Sequence, residues 1–188
     1  MHKGVASGDI VPVFCGSAEH SYGMQALLKK LVELCPSPAE AGGETAQRAD
    51  MEEEVHLSPS DDETFSALIY KTSTEPRIGE MSYFRVVSGS VSSGQEVQNA
   101  ERDSTEKLNP LSIAMGKERF EVEKLHAGDL GVVAKLKGAH TNDTLCDMSR
   151  LVILEKIAFP KPEIAMAIRG EGRGDEDKLG VVLPKLHE

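Results

Sequence analysis

The stretch Ala127-Gly128-Asp129-Leu130-Gly131-Val132-Val133-Ala134-Lys135-Leu136, taken with Thr141-Asn142-Asp143-Thr144-Leu145-Cys146-Asp147, decides the fold of this chain. Its first half is an apolar, β-branched run opened by Ala-Gly-Asp, the pattern of a buried strand entered through a tight turn. Gly128 accepts positive φ and Asp129 can bond its own backbone, so both suit a sharp reversal. The second half is a polar turn returning to an apolar residue, and Asn142 tolerates the left-handed region. Together the two halves predict a β-hairpin on a small sheet.

Working outward, short strands with regular turns continue on both sides. Runs at Thr64–Thr72, Ser82–Ser88, Lys107–Met115 and Leu151–Ile157 join Leu130–Leu136, and Ser90–Val97 reads as a hairpin turning at Ser93-Gly94. Several short strands at this spacing predict a closed all-β barrel over residues 64–157. Before it, Ile10–Cys15 reads as a short strand. Met24, Leu27, Leu28, Leu31 and Cys35 then recur at helical spacing, with Ser21 as N-cap and Pro36-Ser37-Pro38 as the stop. After it, Ile164, Met166 and Ile168 alternate as a strand. Leu179, Val182, Leu183 and Leu186 share a helix face opened by Asp175, Glu176 and Asp177. Pro184 inside that helix would remove a backbone bond, costing about 3 kcal/mol in a regular helix. One strand and one helix cannot cover their own apolar faces. Residues 1–38 and 158–188 are therefore expected to be pieces of larger domains, with self-association through the uncovered helix faces.

Residues 39–63 are expected to be an acidic linker. The formal net charge is −10, and nine acids against one base, Arg48, fall between Ala39 and Thr64. The acidity is thus local to one segment rather than a field over the barrel, and it argues against avid non-specific nucleic-acid binding. Cys15, Cys35 and Cys146 are an odd count with no Cys-x-x-Cys pair. That favours reduced thiols and a cytoplasmic protein over a disulfide framework or a zinc site. No apolar run reaches the roughly 18–20 residues that span a bilayer, so no membrane partner is expected.

The motifs in order resemble elongation factor G-like translational GTPases. The opening stretch is similar to the "AGD…LK…T.GDTLCD" segment of that family's second domain, with Asn142 where Gly is usual. Phe65-Ser66-Ala67-Leu68-Ile69-Tyr70-Lys71 and Gly79–Gly89 resemble the start of the same domain. Val11-Pro12-Val13-Phe14-Cys15-Gly16-Ser17-Ala18 resembles the end of the GTP-binding domain, and Phe159–Ile164 with Gly174–Leu179 the start of the third domain. The resemblance implies a mainly β chain: a closed antiparallel barrel of translation-factor second-domain type, flanked by one β–α unit at each end. It divides the chain into 1–38, the last strand and helix of the GTP-binding domain; 39–63, the linker; 64–157, the barrel; and 158–188, the first strand and helix of a ferredoxin-like third domain. It implies that Ser17 and Ala18 help enclose a guanine base. It also implies that the second domain docks on small-subunit ribosomal RNA. The barrel's bases, Lys71, Arg77, Arg85, Lys107, Lys117 and Arg119, are the contact candidates, mostly to phosphates. Glu19-His20 departs from the apolar and basic residues usual after Gly-Ser-Ala.

No Gly-x-x-x-x-Gly-Lys-[Ser/Thr] loop occurs, and Met115-Gly116-Lys117-Glu118 lacks the hydroxyl that would hold magnesium. This chain by itself is therefore expected to need no cofactor and to perform no catalysis, whereas an intact parent would bind GTP and magnesium and hydrolyse GTP during translocation. The six histidines show no metal-ligand spacing. Two other readings stand beside this one: a free-standing protein-interaction barrel, and a ribosomal-protection or release-factor relative sharing the second domain.

Overall fold

A computed structural model describes residues 1–187 apart from Asp50, Glu52, Pro76, Arg77 and Arg173. The chain divides into two compact units, Met1–Gly43 and Glu44–Glu188.

The first unit holds helices α1 (His2–Ala6), α2 (Met24–Leu34) and α3 (Pro38–Ala41). α2 is the helix read from the apolar spacing, with Leu34 buried and Leu28, Leu31 and Val32 exposed. Its cap is not Ser21. That residue sits in the left-handed region at φ 56°, and Gly23, at φ 76°, is the N-cap. A Cβ on Gly23 would lie 2.9 Å from the Cys15 carbonyl oxygen, so the closeness of the chain at this turn demands glycine. The strand expected at Ile10–Cys15 does not form: Val11 is 80% and Val13 86% exposed, and only the Ser17–Tyr22 bridge is present nearby. Pro36-Ser37-Pro38 ends one helix and starts another. Ser37 and Glu40 make a capping box on α3 with Pro38 in its first turn.

The second unit is β-rich, and every pairing in it is antiparallel. Its strands are β1 (Glu44–Arg48), β2 (Glu54–Leu57), β3 (Ser66–Glu75), β4 (Gly79–Ser88), β5 (Ser90–Ser92), β6 (Glu96–Asn99) and β7 (Ser104–Lys107). They continue with β8 (Ser112–Met115), β9 (Glu118–Glu121), β10 (Lys124–His126), β11 (Leu130–Ala134), β12 (Thr144–Cys146) and β13 (Val152–Leu154). Eight strands form one sheet in the order β7-β6-β12-β3-β4-β11-β8-β9, and β10 pairs with β5 in a separate ribbon. No pairing among the described residues closes the large sheet on itself. It must nonetheless curl, because Ile69 of β3, Phe84 of β4, Val91 of β5, Val97 of β6, Leu125 of β10 and Leu145 of β12 share one buried core.

Three expectations are corrected here. The opening stretch is not a hairpin: β11 pairs with β4 and β8, and β12 pairs with β3 and β6, so the β3–β4 hairpin lies between them. The connection passes across that hairpin's backbone, with Lys135 N–H donating to Glu80 O and Asn142 N–H to Ile69 O. Ser90–Val97 does turn at Gly94, at φ 85°, but its two arms separate to different partners, β5 to β10 and β6 to β7 and β12. Finally, residues 39–63 are not a linker throughout. β1 and β2 pair with each other and β1 with β13, giving a sheet β13-β1-β2. Ala46 and Leu57 are buried there with Val87, Cys146, Val152 and Leu154 in a second core. The few apolar residues of the acidic segment suffice because β13, about a hundred residues downstream, supplies the facing surface.

Residues 155–170 contain no strand, so the alternation at Ile164, Met166 and Ile168 does not become one. These side chains are exposed, and a strand without a ladder partner leaves its backbone groups unpaired. The terminal helix forms as α4 (Asp175–His187), with Asp175, Glu176 and Asp177 in its first turn, and it spans position 184.

Candidate functional site

The base-loop residues Ser17 and Ala18 sit in a turn in the first unit. Ser17 N–H donates to Tyr22 O at 3.0 Å, His20 N–H to the Ser17 hydroxyl at 3.3 Å, and Ser21 N–H to Ala18 O at 3.4 Å. Ser17 is half-buried and Ala18 exposed. The His20 and Tyr22 rings stand 5.6 Å apart across the turn.

The basic candidates separate into distinct environments. On β3 and β4, Lys71 lies opposite Tyr83, with its Nζ 5.4 Å from the ring centroid. The Tyr83 hydroxyl donates to Glu75 Oε1 at 3.2 Å, and Arg119 of β9 reaches the other carboxylate oxygen of Glu75. Lys71, Tyr83, Glu75 and Arg119 thus form one connected polar surface. Lys107 is exposed on β7, at the end of the strand order opposite β9, and Lys117 is exposed in the β8–β9 turn. Arg85 of β4 pairs with Glu44 at 2.8 Å. Arg77 lies outside the described residues. The six therefore do not converge on one point. Arg85 and Arg119 are neutralised by carboxylates, while Lys71, Lys107 and Lys117 keep exposed charge.

The Arg85–Glu44 pair edges a groove of about 370 Å³ lined by Leu68, Tyr70, Val87, Leu130 and Ile157. Burial, and secondarily the neighbouring Tyr83, push the Tyr70 phenol upward in pKa. Ile157 is held over this groove by Asn142, whose side chain donates to Ile157 O at 3.1 Å and accepts from Ile157 N–H at 2.8 Å.

A second group is structural and was not singled out from the sequence. Asp143, 4% exposed, accepts from Asn99 Nδ2, Arg102 Nε and His140 N–H, all on Oδ2. Glu101 accepts from both the backbone N–H and the hydroxyl of Thr144. Burial outweighs those bonds and pushes the Glu101 carboxyl above its usual range. Buried Glu106 accepts from the Lys137 and Gly138 amides at 2.9 and 3.1 Å. The signal was the Asn-Asp-Thr triplet at 142–144, since short polar residues inside an apolar run must find internal partners. Among the described residues no three His, Cys, Asp or Glu side chains gather as a metal site, and no helix is long and apolar enough to cross a membrane.

Residues 64–148 match the family described as elongation factor G domain 2. The chain is also similar to a crystal structure of a protein from Thermus thermophilus, at 28% identity and a TM-score of 0.76. The match covers 98% of this chain and 25% of that one, so this chain spans about a quarter of the length of the protein it resembles.

Proposed function

We propose that this chain serves a ribosome-dependent translational GTPase as its ribosome-docking part, because residues 64–148 match elongation factor G domain 2. The observation that supports this most is that the family match falls on the curled sheet, whose exposed lysines fit phosphate contacts. In this reading Lys71, Lys107 and Lys117 meet small-subunit RNA phosphates, which position without reading sequence. Arg85 and Arg119 brace the sheet through Glu44 and Glu75. Lys71 is held out from β3 by the face of Tyr83, which orders the side chain before contact.

Ser17 and Ala18 flank the guanine base once the rest of a nucleotide site is supplied. GTP with magnesium provides the hydrolysis that drives translocation in the intact protein. Closure of the eight-stranded sheet into a barrel with the β5–β10 ribbon gives the docking part its rigidity. The whole protein works in the cytoplasm, where ribosomes are.

Sedimentation of the chain with purified small ribosomal subunits over a salt series tests the docking. Binding should weaken with salt, and each of Lys71→Ala, Lys107→Ala and Lys117→Ala should lower the slope of log K against log salt by about 1. Binding that ignores salt, or the same slope in the triple variant, would refute the assignment. Binding by Glu44→Ala should stay as tight as wild type, since Arg85 braces rather than docks.

A further inference from the structure

The sheet β13-β1-β2 lies outside residues 64–148 and ends on β2. Which β2 groups face outward follows from the register. Arg48 N–H donates to Glu53 O at 2.9 Å, making that pair a mutually bonded one. Antiparallel pairs alternate, so Ala46–Val55 and Glu44–Leu57 are bonded and Thr45–His56 and Gln47–Glu54 are not. On the other side of β1, Ala49 N–H donates to Leu151 O, the alternation this register requires. The peptide groups of Glu54 and His56 therefore point away from β1, and both residues are exposed. Two donors and two acceptors stand in a row about 7 Å apart along the edge.

The surroundings select what could pair there. Glu44, Asp61 and Glu63 are matched by Arg85, His126 and Arg150. Among the described residues Glu53, Glu54 and Glu155 have no such ion pair. Val55 and Leu57 turn inward to the small core, so Glu54 and His56 share the outer face. On that face a cavity of about 400 Å³ is lined by Thr45, Gln47, Glu54, Ile153, Glu155 and Lys156. With two carboxylates against one lysine, the outer face of this sheet carries net negative charge, which disfavours nucleic acid and favours a basic partner.

We propose that the free edge of β2 takes up an extended, basic segment of a partner protein by strand addition. Its main chain pairs with Glu54 and His56. Alternate lysine or arginine side chains stand beside Glu54 on the outer face, and the intervening apolar side chains extend the row of Val55 and Leu57. Main-chain bonds supply the affinity and the unpaired, outward Glu54 carboxylate supplies the selection, as in other strand additions.

The test uses the full chain labelled with ¹⁵N and the peptide acetyl-Lys-Val-Lys-Val-Lys-Val-Lys-amide. Amide shifts should concentrate on residues 53–57. A peptide of the same charge, N-methylated at alternate residues so that it cannot complete the ladder, should bind roughly tenfold or more weakly, the loss expected from one or two hydrogen bonds. Glu54→Lys, with its fold checked by far-ultraviolet circular dichroism, should weaken the unmodified peptide by a similar factor, and the Glu-Val counterpart should not bind. Equal binding of the N-methylated peptide would reduce the effect to charge alone and overturn the proposal. So would shifts spread over other acidic surfaces, no shifts at millimolar peptide, or single-stranded RNA binding at β2. None of these results bears on ribosome docking through Lys71, Lys107 and Lys117.

Discussion

Replacing Asp143 probes the reasoning about this fold most directly, because three donors from three places converge on one of its oxygens. Asn99 Nδ2 lies 2.9 Å from Oδ2, Arg102 Nε 2.6 Å and His140 N–H 2.9 Å. Asp143→Ala leaves the Asn99 amide, on a residue with no solvent exposure, without this acceptor. It does the same to the His140 N–H, and each stranded donor costs about 1–3 kcal/mol. The Arg102 side chain is 43% exposed, so water largely replaces its lost partner at a cost below about 1 kcal/mol. The sum is about 2–7 kcal/mol, a large share of the roughly 5–15 kcal/mol that holds a domain together. Asp143→Asn is the informative control. Its amide oxygen can occupy the same point and accept all three donors; it loses the charge assistance and sets an amide NH2 where Oδ1 stood, at about 1–2 kcal/mol, less than Ala. With no tryptophan in the chain, urea titration followed by far-ultraviolet circular dichroism is the assay. An Asp143→Ala variant within about 1 kcal/mol of wild type would refute the account. Asn doing as much damage as Ala would refute it too, since the cost would then lie in the charge and not in the stranded donors.

Asn142→Ala should cost about 1–2 kcal/mol, by straining φ 76° and removing both bonds to Ile157, whereas Asn142→Gly relieves the strain and should cost less. Faster amide exchange at Ile157 in both variants would show the clasp itself. Gly89→Ala should be severe, at about 3 kcal/mol or more. Its Cβ would lie 2.6 Å from the backbone at Glu63 and Phe65 at a φ of 67°, and a melting temperature unchanged from wild type would contradict this. Glu101 gives a pH dependence with a definite sign. Its folded pKa is raised above the ordinary 4.5 by burial, so its contribution is complete below that value and is lost as pH rises through the raised one. Glu101→Gln should therefore gain stability relative to wild type between about pH 4 and pH 7. Urea midpoints that stay parallel across that range would count against it.

Local features were legible from the sequence because local rules set them. Helix α2, strands β3, β4 and β11, and the turns at Gly94, Gly128 and Asn142 follow from periodicity and from residues that accept positive φ. Partner choice was not legible. Alternation tells which side of a strand is apolar but not what lies beside it, so β11 and β12 look like a hairpin although β3 and β4 come between them. The same limit explains the strands expected at Ile10–Cys15, an apolar run, and at Ile164–Ile168, an alternation, neither of which has a pairing strand among the described residues. It also explains the acidic segment, read as a linker because Ala46, Val55 and Leu57 are too few to cover themselves. At the candidate site, all six bases looked equivalent in the sequence. Glu44 and Glu75, lying 41 and 44 residues from the arginines they pair with, separate Arg85 and Arg119 from the free lysines.

The same non-local logic explains why so short a strand as β12 belongs to the most distinctive stretch of the chain. Its three residues serve both sheets at once. Leu145 is buried in the larger core and Cys146 in the smaller one, where burial raises its thiol pKa and keeps it a packing residue rather than a nucleophile. Thr144 precedes them, its hydroxyl donating to Glu101 and accepting from Leu154 N–H of β13 at 3.0 Å. β13 in turn pairs with β1, and β1 with β2. A load on the β2 edge therefore reaches the eight-stranded sheet through Thr144, Leu145 and Cys146 of β12, through Val87 of β4 in the smaller core, and through the Glu44–Arg85 ion pair. Those links make the small sheet a buttress of the larger one.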